Sequence, residues 1–382
     1  MTGASSGPGP HWLRLVSVFL AGMATLLLAF TFFTLSADAR KAEEEGRGEE
    51  ISWAFDFGAY RGGAARIAAA GSPYDETVTA GKFFPGPKDL YHYSPVLAVS
   101  LLPLDGLPDE ASTAWWYWLH VAALMAACAL MPISGTLRLL AYAVGAFSLA
   151  LLVDIVMGNV NVPLLLLMVL AWRWLDRPLG SIGVAVSMAL RPSLGLLLIW
   201  QLLRRAWRAV AWTVGAGLVL VLATLPFVGF DSYLEYLGVL RNVEMPVNAD
   251  APPGAWQNID LGEAVRNLGL GDTAVAVARI ASLSVGLGAM VASLRRRPEV
   301  GFMVTLMASF MVVPLLWDHY LAMTLLPAAF LAQHWHRAAL ALPLLSWLPL
   351  AAPLLLMGTI VLLFLVTDES ETRAVVSAEA SA

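Results

Sequence analysis

Charge is what this sequence has least of: only 13% of its 382 residues are Asp, Glu, Lys or Arg, against about 25% in soluble domains. That shortfall excludes a water-soluble fold and leaves an integral membrane protein. Lysine is confined to positions 41, 82 and 88, and no extended basic block accompanies the net charge of -5. Without clustered Lys and Arg nothing can neutralise a run of phosphates, so nucleic acid is excluded as a partner. The single cysteine, Cys128, lies inside an apolar run. It can form no intrachain disulfide and says nothing about redox compartment.

Signatures of familiar chemistry are also missing. There is no Walker sequence, no His-Glu-x-x-His and no Asp-x-Asp. The last absence bears on mechanism, because a transferase using a sugar nucleotide often needs a metal to neutralise the diphosphate that leaves. A lipid monophosphate needs less, one or two cations being enough. Asp56-Phe57-Gly58 matches the metal-binding triplet of kinases, but no Gly-rich loop, strand Lys or His-Arg-Asp goes with it. No internal repeat occurs, and the apolar runs hold few ionisable residues beyond Asp154 and Arg191. Both absences weigh against a transporter with a proton relay at the bilayer midplane.

What the chain does have is apolar runs from end to end, 59% of it being hydrophobic. About 20 such residues cross a hydrocarbon core of about 30 Å. Residues 1–11 read as a disordered polar tail. Leu13 to Leu35 is the first span, and although Ala37-Asp38-Ala39 resembles a signal-peptidase site, the run is about twice a normal h-region. It reads as an uncleaved anchor, followed by a charged, solvated stretch from Lys41 to Glu50.

Sidedness comes from the short basic loops, since Lys and Arg concentrate in the cytoplasm. Arg138, Arg173 with Arg177, Arg204-Arg205 with Arg208, and Arg295-Arg296-Arg297 are placed inside, with His334 to Arg337 as a weaker fifth. Further spans then fall near 111–131, 139–157, 161–175, 208–230, 273–294, 300–317, 319–333, 337–350 and 352–366. Trp115-Trp116-Tyr117-Trp118 reads as an interfacial belt. Loops 36–110, carrying interfacial helices, and 231–272 fall on the extracytoplasmic side of the plasma membrane, and the tail 367–382 in the cytoplasm.

Residues 178–203 resist a simple span. Both flanks are basic, yet Arg191-Pro192 stands at the centre. Each half of about 12 residues reaches only about 18 Å, so the segment predicts a hairpin of two half-helices with Arg191 at its tip. An intramembrane Arg marks a site for an anion; the alternative is one full span with Arg191 snorkelling. The fold class expected is an all-α polytopic bundle of about twelve transmembrane or half-membrane helices, one integral domain over 1–382.

Functional residues gather on the outer side. Asp56 lies among Trp53, Phe55, Phe57 and Tyr60. Aromatic surroundings desolvate an acid, raise its pKa and suit it to take a proton from a hydroxyl, so Asp56 is the candidate general base. It could instead cap the helix that follows. Tyr60, Arg61 and Arg66 could bind sugar or meet lipid headgroups. Asn159 and Asn161 could bind substrate or cap the next helix. Arg191 and His319, beside Tyr320, are the cations that could hold a phosphate; His120, His334 and His336 read as interfacial or cytoplasmic, with no site around them.

In order, Asp56-Phe-x-x-Tyr60, Gly71-Ser-Pro-Tyr74-Asp75, Tyr93-Ser-Pro95, Pro103, Gly158-Asn-x-Asn161, Arg191-Pro192 and Trp317-x-His319-Tyr320 resemble glycosyltransferase family 87. The likeness covers residues 51 to about 330 and rests on the order of the motifs. It implies a GT-C fold and an inverting transfer, most often of mannose, from a polyprenyl-phosphate donor to a glycolipid or glycan acceptor in an actinobacterial-type envelope. No metal or cofactor is expected, given the missing Asp-x-Asp. By this resemblance Asp56 deprotonates the acceptor, Arg191 (often Lys in the family) and His319 face the donor phosphate, and Tyr93 and Tyr320 line the site. Where the family shows Asn-Gln-Ser this chain reads Gln257-Asn258-Ile259-Asp260, which weakens an acceptor contact at Asn258. A polyprenyl-phosphate arabinofuranose donor fits equally. A lipid-linked-sugar flippase is the alternative of another class; it would work without Asp56, and a purely structural subunit would tolerate loss of both Asp56 and His319.

Overall fold

The computed structural model describes residues 11–45, 53–75, 91–242, 258–313, 315–348 and 351–366, and among them every regular element is helical. Residues 1–10 of the polar tail, residues 46–50 of the charged stretch, Trp256-Gln257 and the tail 367–382 lie outside the described residues.

Helix α1 (His11–Glu44) has 34 residues, which is about 51 Å at 1.5 Å per residue. It contains the expected first span and continues through Ala37-Asp38-Ala39, so the start of the charged stretch is helical. Small residues on one face, Ser17 and Ala24 with Leu28, are buried against the helix Gly135–Phe147, while Phe19, Leu26, Phe30 and Phe33 stay uncovered. Rings that no part of the protein covers are the ones a membrane would cover.

Among its described residues the first loop forms α2 (Phe55–Ala68) and α3 (Pro95–Leu101), packed together. Then come α4 (Asp109–Leu130), α5 (Gly135–Phe147) and α6 (Leu149–Met157), the last two meeting at a 65° bend. Ser148 makes the bend with extended backbone, and its hydroxyl caps α6 by accepting from Leu151 N–H. After α7 (Asn161–Arg173), α8 (Pro178–Leu190) and α9 (Leu196–Leu203) follow, joined at Arg191-Pro192. Farther on lie α10 (Trp207–Val228), α11 (Asp231–Asn242), α12 (Leu261–Asn267), α13 (Asp272–Ser293), α14 (Pro298–Met311), α15 (Leu325–His334) and α16 (Ala351–Leu365), with 3-10 helices at Asp318–Thr324 and Arg337–Trp347.

Both ends of the α8–α9 segment meet. Arg204, after α9, pairs with Asp176, before α8, at 3.4 Å. Thr213 of α10 lies 3.3 Å from Ser181 O near the start of α8 and 3.0 Å from Gln201 Oε1 near the end of α9. The chain therefore returns to the level it left, as a hairpin does. At its tip Arg191 is extended (φ -138, ψ 98), the conformation that a following proline imposes.

Among the described residues, only α1, α4, α10 and α13 are long and apolar enough to cross a membrane, or five spans if bent α5–α6 counts as one. The other apolar helices have 10–17 residues, so a count of twelve crossings is not reached by length. Their burial gives the physical reason. In α14 every residue from Val300 to Met311 is buried, as is every residue of α15 from Leu325 to Ala332. A helix that is apolar all round can be the centre of a packed bundle as well as a span, and composition alone does not separate the two.

Candidate functional site

The site is organised by one turn. Helix α6 ends at Gly158, which takes the left-handed conformation (φ 69) and lets Asn159 N–H close back on Asp154 O at 2.9 Å. Helix α7 begins three residues after Gly158, at Asn161, so Asp154, Asn159 and Asn161 are folded onto one another. A Cβ at Gly158 would stand 2.9 Å from the Cβ of Phe57. Gly158→Ala is therefore expected to destabilise the protein by at least about 1–2 kcal/mol from backbone strain alone, with more from the clash. A lowered thermal unfolding midpoint measured in detergent checks this.

The same turn fixes the start of α2. Ala54 N–H donates to Val156 O at 2.8 Å, and Ala54 is itself left-handed (φ 56). Phe57 stacks on Trp116 at 4.9 Å, and the Trp116 indole donates to Gly158 O at 2.8 Å. Asp56 thus sits in the first turn of α2 and does not cap it, since Ala54 holds the cap position. It meets Asn159, whose Nδ2 donates to Asp56 Oδ2 at 2.7 Å and to Tyr93 OH at 3.1 Å. Tyr60 closes the other side, edge-on to Tyr93 at 4.9 Å. Neither Asn159 nor Asn161 caps α7; Val160 does, with no side-chain bond.

Burial among these rings pushes the Asp56 carboxyl up to about 6, against the opposing effects of the Asn159 hydrogen bond and the Arg191 charge. A base must be deprotonated to work, so a reaction that uses Asp56 is expected to gain rate as pH rises through about 6. A pH–rate profile checks it: an acid limb left near the ordinary carboxylate value of about 4 would show that Asp56 is not the group titrating.

Arg191 reaches this cluster from the hairpin tip. Its guanidinium carbon lies 3.6 Å over the Tyr320 ring, and one amino group lies 3.5 Å from Asn159 Oδ1. Tyr320 in turn sits against His319 at 5.0 Å, and His319 stacks on Trp317 at 6.5 Å. Arg191 and His319 are each only 6% exposed. Among the described residues, Arg191 Nε and His319 Nε2 are buried without a hydrogen-bond partner. Arg191 Nε is a donor, and His319 Nε2 is one in the Nε2–H tautomer; buried donors left unmet suit an anion that brings its own acceptors. No group of three or more potential metal ligands occurs among the described residues.

The model of glycosyltransferase family 87 matches residues 91–317, more than half of the chain. The chain belongs to glycosyltransferase family 87. It is 31% identical over 150 residues to "Alpha-(1->3)-arabinofuranosyltransferase" of Mycobacterium tuberculosis, in the sequences of strains CDC 1551 / Oshkosh and ATCC 25618 / H37Rv alike. That match covers 36% of this chain and 35% of each relative, so the chain spans about a third of the length of the curated relatives it matches. No solved structure matches. The family match takes in Tyr93, Asn159, Asn161 and Arg191, while Asp56 precedes it and His319 follows it. The fold is what joins these outlying residues to the family segment.

Three of the residues expected to contact substrate make hydrogen bonds within the protein in this family 87 chain. Arg61 pairs with Asp109 and donates to Leu107 O at 3.3 Å, tying α2 to α4. Arg66 donates from Nε to Pro73 O at 3.0 Å, holding the Gly71–Tyr74 turn. Asn258 accepts from Leu316 N–H at 2.9 Å and Asp260 N–H at 3.0 Å, and donates to Asp260 Oδ2 at 3.1 Å. It holds the strap that leads into Trp317.

The structure also corrects the reading of His120 and of the aromatic belt. His120 is fully buried, with Nε2 2.5 Å from Asn159 O and Nδ1 2.8 Å from Trp116 O; it supports the site. The i,i+4 spacing from Trp116 to His120 is the signal that could have found it. Of the supposed belt, Trp115 and Trp118 are exposed but Trp116 and Tyr117 are core. Arg279 adds a cation inside α13, where it binds Asp260 at 3.0 Å; its place in an apolar run is its only mark in the sequence.

Proposed function

We propose that this family 87 protein transfers a sugar from a polyprenyl-phosphate donor to a glycolipid or glycan acceptor at the extracytoplasmic face of the plasma membrane. The observation that carries the reading is the facing pair of unlike groups. On one side is a carboxyl pushed up to about 6 and tied by Asn159, and on the other are the unmet donors of Arg191 and His319. Asp56 takes the proton of the acceptor hydroxyl as that oxygen attacks the anomeric carbon. The bond to phosphate breaks, and the charge that develops on the leaving polyprenyl phosphate is held by Arg191 and His319. Attack opposite to departure inverts the anomeric centre.

A cavity of about 210 Å³, mainly apolar but with Asp260 and Arg279 among its walls, lies beside the site. Leu283, Phe310, Val313, Leu356 and Met357 are among its walls. It neighbours the site through Leu316, and through Phe310, whose ring lies 6.2 Å from Tyr320. Mannose is the sugar expected from the family resemblance; the name of the matching relatives favours arabinofuranose. The protein purified in lipid, given radiolabelled polyprenyl-phosphate mannose or arabinofuranose with a membrane lipid extract, decides between them. Label entering a new glycolipid with wild type and not with Asp56→Asn is the expected result. Donor binding by both forms without transfer of either sugar would turn the reading to a flippase.

A further inference from the structure

The reaction as described uses Asp56, Arg191 and His319 and leaves Asp154 idle. Asp154 is fully buried on α6, where an acid is costly unless its oxygens are met. Both are met. Oδ1 accepts from Asn161 Nδ2 at 2.8 Å, and Oδ2 from the backbone N–H of Val162 at 2.9 Å. The second hydrogen of Asn161 Nδ2 goes to Asn159 Oδ1 at 3.0 Å, and Asn159 Nδ2 goes on to Asp56 Oδ2 at 2.7 Å.

We propose, resting on the reading of Asp56 as base, that Asp154 is a positioning residue that selects, through Asn161 and Asn159, which end of the Asn159 amide faces Asp56. The two ends of an amide have nearly the same shape, so the network must choose. With Oδ2 held by Val162 N–H, an ionised Asp154 offers Asn161 only an acceptor, so Asn161 turns Nδ2 toward it. Because that same nitrogen also meets Asn159, Asn159 must offer its oxygen to Asn161 and its nitrogen to Asp56. Arg191 acts in the same sense, 3.5 Å from the same Asn159 oxygen. With Oδ2 tied, Oδ1 of Asp56 is the oxygen left to take the acceptor proton.

Asp154→Asn tests this with almost no change of shape. If the introduced amide keeps its oxygen on Val162 N–H, its amino group faces Asn161. Asn161 then turns its oxygen toward position 154, and Asn159, still claimed by Asp56 and Arg191, either faces that turned amide oxygen to oxygen or turns its own carbonyl to Asp56; in both cases its bond to Asp56 weakens. The titratable and charged groups facing Asp56 are Tyr60 on α2, Tyr93 before α3, Asp154 itself and Arg191. Tyr60, Tyr93 and Arg191 keep their charge between about pH 5 and 8, and Asp154→Asn removes the other acid, so the acid limb of that variant reports on Asp56.

The experiment follows transfer from the radiolabelled polyprenyl-phosphate sugar that proves to be the donor, for wild type, Asp154→Asn and Asn161→Ala. Expected are an acid limb of kcat displaced upward by about one pH unit, so that kcat falls about tenfold at about pH 5 and only about twofold at about pH 7, with the donor KM changed less than about threefold. Asn161→Ala keeps Asp154 and its bond to Val162 in place and reads the same link should Asp154→Asn not fold. Rates that fall equally at every pH with the acid limb unmoved, or that do not fall, overturn the proposal. Asp56→Asn in parallel separates the two readings. If it retains the wild-type rate, the base assignment is wrong; if it is inactive while the acid limb of Asp154→Asn stays in place, only the positioning role is lost.

Discussion

Asp56→Asn is expected to slow sugar transfer by about 10²- to 10⁴-fold, the usual contribution of a general base, while donor binding is retained. The same change is expected to make the protein more stable at neutral pH. The sign follows from the direction of the shift. Folding raises the carboxyl from 3.8 to about 6, so the folded state prefers the protonated form. The stability associated with that preference is complete below the unfolded value and is lost as pH rises through about 6. A shift of about two units corresponds to at most about 3 kcal/mol, and less in practice because the residue is partly exposed. Asn cannot ionise, yet it can still accept from Asn159. Unfolding midpoints of wild type and Asp56→Asn are expected to coincide near about pH 4 and to separate above about pH 7 with the variant higher. Equal midpoints at both pH values, or an active Asp56→Asn enzyme, would contradict a desolvated base at this position.

Arg191→Gln is expected to lower kcat by about 10²- to 10³-fold, as loss of a preorganised group at a developing charge does. Two consequences should appear together. The leaving phosphate loses a partner, so the donor KM rises as well. Asp56 loses a cation that holds its carboxyl down, so the acid limb of the profile moves above about 6. Arg191→Lys keeps the charge but gives up the planar fork and its seat over Tyr320 at 3.6 Å. A point charge still meets a phosphate oxygen, so a milder loss of about tenfold is expected. Steady-state kinetics with the labelled donor measure all three enzymes, wild type included. An Arg191→Gln enzyme with unchanged donor KM and an unmoved acid limb would mean that Arg191 only fills the hairpin tip.

How much of this site is legible beforehand depends on what each residue has to do. Asp56, Arg191 and His319 stand out because an ionisable group beside apolar or aromatic neighbours is expensive, and expense in a sequence is visible. Asn159 and Asn161 are visible for a related reason, two amides following a glycine between apolar runs. Arg61, Arg66 and Asn258 look just as functional in the sequence, but polar loop residues are also what backbone carbonyls and N–H groups need. Asp109, Pro73 O and Leu316 N–H claim them. His120 misleads in the opposite way. It lies in an aromatic-rich run that reads as an interfacial belt, and its partner is the carbonyl of Asn159, 39 positions away.

By itself the sequence determined that the chain is a helical membrane protein, because so little charge and so many long apolar runs have no other stable arrangement. It also determined the order of the motifs that mark family 87 and pointed to a break at Arg191-Pro192, where proline and an intramembrane cation each make an ordinary span costly; the contacts joining the two ends of that segment are tertiary. The tertiary structure alone decided which helices are centre and which are edge, since an apolar residue packs equally well against protein or lipid. It also decided the partners. Asn159 reaches Asp56 across 103 positions only because a left-handed Gly158 and a left-handed Ala54 turn α6 and α2 toward each other, and no local pattern records where a turned chain will meet its neighbour.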